Sequence, residues 1–109
     1  MSDETFIERS FESGDDTITV RFLQPQLAPG GEFQCEWVIE WPDRVQQRYT
    51  CGIDGIQALT LAMRTVHTEL KESDLYKSGK LTFENGYNLD LPPSWCDGQL
   101  DVPPEPKGS

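Results

Sequence analysis

The chain is short of bases, of histidine, of cysteine and of long apolar runs. Nine Lys and Arg stand against 19 Asp and Glu, a formal net charge of −10. A chain this acidic repels DNA, RNA and anionic lipid, so direct nucleic-acid or membrane binding is not expected. There is one histidine, His67, and there are three cysteines, Cys35, Cys51 and Cys96. An odd count without C-x-x-C spacing argues against a disulfide scaffold and against a zinc site. No apolar run approaches the roughly 18 residues a membrane span needs. Met1 to Phe11 is acidic and lacks the basic flank and apolar stretch of a secretory signal, so a cytoplasmic protein is expected. The 109 residues suffice for one domain. Apolar content is low at 36%, but eleven aromatics (three Trp, three Tyr, five Phe) can each bury a large area.

What is present has the pattern of strands followed by a helix. Residues 4–11 read as a first strand with mixed faces, suited to a sheet edge. Ser13-Gly14-Asp15-Asp16 is a turn signal, and residues 17–23 alternate cleanly as the return of a hairpin. Residues 25–32, with two prolines and Gly30-Gly31, read as a loop. Phe33, Cys35, Trp37, Ile39 and Trp41 then recur at period two, the strongest strand signal in the chain. Val45, Gln47, Tyr49 and Cys51 continue the alternation. Residues directly opposite in a sheet share a face. A three-residue loop at 42–44 would set Trp37 against Tyr49 and Cys35 against Cys51, and this register is expected.

A helix opens at Asp54, an N-cap, with Gln57 completing a capping box. Ile56, Leu59, Met63, Val66 and Leu70 form its apolar stripe, flanked by Ala58 and Ala62. Gln57, Thr60, Arg64, His67 and Lys71 form the wet face. Beyond Ser73 the signals are weaker: a short strand at 81–83, an Asn85-Gly86 turn signal, and a return over 88–91. Five of the eight prolines fall in residues 92–109. The expected architecture is α+β: an antiparallel sheet of four to five strands with one amphipathic helix packed on one face, in the order β-β-β-β-α-(β). Residues 1–92 form the single domain and 93–109 a Pro-rich tail, partly docked or disordered.

The helix start Gly52-Ile53-Asp54-Gly55-Ile56-Gln57-Ala58-Leu59, after the strand Cys35-Glu36-Trp37-Val38-Ile39, resembles a family of short uncharacterised bacterial domains. In these a C-x-[WY]-x-I strand precedes a helix opening G-[IV]-D-x-x-Q-A-L. The resemblance implies a bacterial protein and brings no catalytic residues. It suggests an immunity or antitoxin-like role by association. In physical terms Gly52 permits a sharp exit from the strand, Asp54 caps and Gln57 closes the box.

No constellation of catalytic or metal-ligating residues stands out, and no cofactor is expected. His67 has no Cys or carboxylate at metal-ligand spacing. Gly30-Gly31 lacks the Lys and helix of a phosphate loop. Cys35 and Cys51 sit in apolar rows, where thiols are small inert hydrophobes. The binding candidates are acidic: Asp15 and Asp16 in the first turn, Glu36 and Glu40 on one strand face. The leading expectation is a non-enzymatic macromolecular interaction module binding a basic protein. Two alternatives stand beside it: a small-molecule or enzymatic domain with a pocket between helix and sheet, and a structural homodimer paired through the first strand.

Overall fold

The computed structural model of the chain describes residues 5–91. Four long strands make the sheet: β1 (Thr5–Ser13), β2 (Asp16–Leu23), β4 (Phe33–Glu40) and β5 (Val45–Gly52). Two-residue strands add to it, β3 (Gln26–Leu27) and β6 (Leu81–Thr82). All pairings are antiparallel. β4 lies between β2 and β5, and β1 between β2 and β6. Gln34 and Phe33 pair with β3 as well as with Cys51 and Gly52 of β5. A strand residue has one neighbour on each side, so β3 continues the line of β2 beyond a break at Gln24–Pro25. The stretch expected as plain loop thus contains a short paired segment.

The β1–β2 hairpin turns at Gly14, whose φ of 62° is one that glycine adopts freely. The β4–β5 hairpin differs from the expected register. Trp37 faces Arg48, Ile39 faces Gln46 and Cys35 faces Thr50, while Cys51 faces Gln34. The turn is therefore a two-residue one, Pro42–Asp43, with the Trp41 N–H donating to the Arg44 carbonyl at 2.8 Å. Cys35 and Cys51 consequently sit on opposite faces of the sheet. The reason is that β5 pairs with β4 alone among the described residues. An edge strand can turn polar side chains toward the helix if they find partners. Gln46 accepts from Trp41 Nε1 and donates to Glu69, and the Thr50 hydroxyl donates to the Ala58 carbonyl.

The helix α1 (Gly55–Lys71) covers one sheet face. Its cap is the expected one: Asp54 accepts from Gln57 N–H at 2.8 Å. The Gln57 side chain in turn accepts from the N–H of Ile53, one residue ahead of the cap. The buried row is Ala58, Ala62, Val66 and Leu70, with Leu59 and Met63 partly buried beside it. The two alanines therefore centre the stripe rather than flank it, which lets the helix backbone approach the sheet closely. A Cβ on Gly52 would lie 2.5 Å from Ala58 N. Gly52 is thus demanded by this close approach, not by a special exit from the strand.

Two helix positions differ from expectation. Ile56 is 78% exposed, whereas His67 is buried. They are eleven residues apart, about three turns, and point in nearly the same direction. The difference lies in what covers each end. Around Leu70 the core takes in Leu75, Tyr76, Leu81, Leu89 and Leu91, all from the chain that follows α1. Among the described residues, Ile56 is not part of that core cluster.

Ser73 caps a one-turn helix, α2 (Asp74–Lys77), by accepting from Tyr76 N–H. β6 then runs into a tight turn with φ of 53° at Glu84 and 65° at Asn85, closed by reciprocal Phe83–Gly86 bonds. The turn sits one residue earlier than Asn-Gly suggested. Residues 88–91 form no strand. Arg9 holds them instead, donating to the carbonyls of Leu89 and Asp90 while stacking on Phe83 at 4.5 Å. The tail at 93–109 lies outside the described residues.

Candidate binding cleft

Strand and helix lengths determine where the acids meet. Eight residues of β5 span about 26 Å and seventeen of α1 about 25 Å. The helix starts beside the far end of β5, so its C-terminus returns to the level of the Pro42–Asp43 turn. The β1–β2 turn lies at that same end. Together they enclose a cleft of about 850 Å³.

Asp15, Asp16, Asp43, Glu72 and Asp74 line this cleft, with Arg44 and Lys80 as its two cations. Five carboxylates against two cations leave a surplus of three negative charges. The α1 C-terminus adds the negative end of its dipole. Arg44 Nη1 reaches Asp43 at 3.3 Å. No ion pair engages Asp15, Asp16, Glu72 or Asp74 among the described residues. Nor do three of His, Cys, Asp and Glu gather as a metal site among those residues. The acids are thus spread around a rim, which suits an extended cationic surface better than a single ion.

Two neutral groups shape the cleft. Trp41 is 6% exposed, with its Nε1 held at 2.9 Å by Gln46, which Glu69 holds in turn. The Arg44 guanidinium lies 4.9 Å from the centre of the Trp41 ring. Ser13 lines the same cleft, is 6% exposed, and makes no side-chain hydrogen bond among the described residues.

Of the four acids singled out in the sequence, the cleft brings together Asp15 and Asp16. Glu36 and Glu40 are on the uncovered sheet face. Glu40 is paired with Arg21, which also reaches Glu8 at 3.3 Å. The hydrogen bond that Arg21 donates to Glu40 is the largest cause raising the Arg21 pKa; burial opposes it, and the charges of Glu40 and Glu8 raise it further. Glu36 is exposed beside a shallow hollow with Leu23, Gln24, Gln26 and Gln34. Asp43, Glu72 and Asp74 were missed as binding residues. The match between helix and strand length is the signal that could have placed them.

Two of the three thiols, Cys35 and Cys51, fall among the described residues, and both are free. Cys35 is fully buried, donates to the Leu23 carbonyl at 3.3 Å, and has its pKa pushed up to about 11, first by burial and then by the Glu36 charge. It stays a neutral thiol at physiological pH. Cys51 is exposed on the open face.

Fold and cleft define a class: an α+β domain with an open antiparallel sheet, one covering helix and an acidic cleft at the sheet end. The chain belongs to the family described as Domain of unknown function (DUF6968), whose model matches residues 7–93. No curated protein and no solved structure matches it.

Proposed function

We propose that the protein is a non-enzymatic interaction module that docks a basic segment of a protein partner in the acidic end cleft. The observation that carries this reading is the set of four rim carboxylates without ion pairs, in a chain of net charge −10. Unpaired acids at a concave rim attract cations from a distance and lose that attraction as salt screens them. A bacterial, cytoplasmic inhibitor of the immunity or antitoxin type is one form such a module takes, with a basic enzyme as its target. The test is to isolate the partner and measure association rates at two ionic strengths. A basic partner whose on-rate falls several-fold from low to ~0.15 M salt is expected. A neutral or acidic partner with salt-independent rates overturns the reading.

Self-association is a second reading, with one observation in its favour. All eight residues of β5 pair on one side alone among the described residues, whereas β1 pairs with β2 along its length and with β6 at Glu12 and Ser13. Edge pairing could therefore use β5, or the part of the first strand before Glu12. A mass that rises with concentration in sedimentation would support it, and a constant monomer mass would exclude it.

A further inference from the structure

We propose that the cleft is a guanidinium site, selecting an arginine side chain of the partner over a lysine, and that Arg44 occupies this place in the free protein. The inference rests on the docking reading and adds its chemistry.

Three observations converge. The first is the Trp41 ring. Its plane is held by the Gln46–Glu69 relay, and its face already carries a guanidinium at 4.9 Å. A flat, weakly hydrated guanidinium stacks on such a ring better than a compact ammonium does. The second is the looseness of the present occupant. The Arg44 side chain is 59% exposed and its ion-pair partner Asp43 is 78% exposed, at 3.3 Å. An exposed pair of this kind holds weakly, so a competing guanidinium can displace it. The third is independent of charge. The Ser13 hydroxyl, in a residue 94% buried, has no hydrogen-bond partner among the described residues and lines the same cleft. The hydroxyl oxygen remains reachable from the cleft, and it offers an acceptor to an incoming N–H. Arginine brings five N–H donors in a fixed fork, enough to meet a ring face, rim carboxylates and this hydroxyl together. Lysine brings a point charge that the rim acids alone can serve.

The experiment titrates the full chain with two blocked pentapeptides of equal charge, carrying two arginines or two lysines. Amide and indole NMR shifts are followed, and the Trp41 indole is assigned by Trp41→Phe. The arginine peptide is expected to bind roughly threefold to tenfold tighter, and to move the Trp41 indole. Asp15→Asn with Asp16→Asn weakens both peptides alike. Arg44→Ala vacates the ring, so the ratio of arginine to lysine affinity rises. Added negative charge alone would strengthen both peptides equally. Equal affinities for the two peptides, or a ratio unchanged by Arg44→Ala, overturn the guanidinium site and leave the docking reading standing. Absence of binding by either peptide overturns both.

Discussion

β4 and β5 are adjacent strands of eight residues each, joined by a two-residue turn, and they divide their side chains in opposite ways. On the helix side β4 places Cys35, Trp37 and Ile39, all buried, and β5 places Gln46, Arg48 and Thr50. On the open side β5 places Val45, Tyr49 and Cys51, all exposed. β4 is central and lies beneath the helix, so its apolar row has a core to enter. β5 is an edge, and two of its inner side chains, Gln46 and Thr50, act as polar tethers. Gln46 links Trp41 to Glu69, and Thr50 links to the first helical turn. Alternation in a strand therefore shows that two faces differ. It does not show which face is inward when a strand stands at the edge.

If this contrast is right, substitutions graded by position should follow it. The largest effect belongs to the β4 row. Trp37 is 1% exposed and among the largest fully buried side chains. Trp37→Ala should cost about 3–5 kcal/mol in urea denaturation. Trp37→Phe should cost clearly less, because the Trp37 Nε1 is buried without a hydrogen-bond partner and its removal abolishes no bond. A loss under about 1 kcal/mol for Trp37→Ala would deny that β4 centres the core.

The junction between β5 and α1 comes next. Gly52→Ala would place a Cβ 2.5 Å from Ala58 N and 2.9 Å from Gln57 C, backbone atoms that cannot step aside. The helix start must shift, at about 1–3 kcal/mol. If the variant melts like the parent, the helix does not approach the strand this closely. Asp54→Ala should remove about 0.5–2 kcal/mol through the lost N-cap bond, and Asp54→Asn should restore most of it. An unchanged midpoint for Asp54→Ala would place the functional helix start elsewhere.

These same residues mark what was legible in the sequence. Asp54 and Gln57 were readable because a cap is local, a matter of side chains and N–H groups three residues apart. The β2 and β4 apolar rows were readable because both strands enter the core. The β4–β5 register was not, since it depends on whether polar β5 residues find partners on the helix, a fact of tertiary structure. Ile56 and His67 have nearly the same helical direction, so periodicity cannot separate them; the chain after α1 does. Of the cleft, Asp15 and Asp16 were visible as turn acids. Their meeting with Asp43, Glu72 and Asp74 required three segments to end at one level.

The smallest effect is expected on the outer face of β5, and it tests the contrast most directly. Tyr49 is 56% exposed, across from Glu36 on the open sheet face. The register anticipated from alternation would have put Tyr49 opposite Trp37, inside the core, where truncation to serine would cost several kcal/mol on the scale of buried aromatics. In the observed register the side chain gives up only contacts with exposed neighbours. Serine also fits an edge strand less well than tyrosine, a modest propensity loss on a scale spanning about 1 kcal/mol. Tyr49→Ser should therefore shift stability by no more than about 0.5 kcal/mol. The measurement is a urea midpoint compared with Trp37→Ala under the same conditions. Comparable losses for the two variants would return Tyr49 to the core and restore the in-phase pairing of Cys35 with Cys51. A near-neutral Tyr49→Ser beside a severe Trp37→Ala leaves the out-of-phase register as the arrangement that accounts for both.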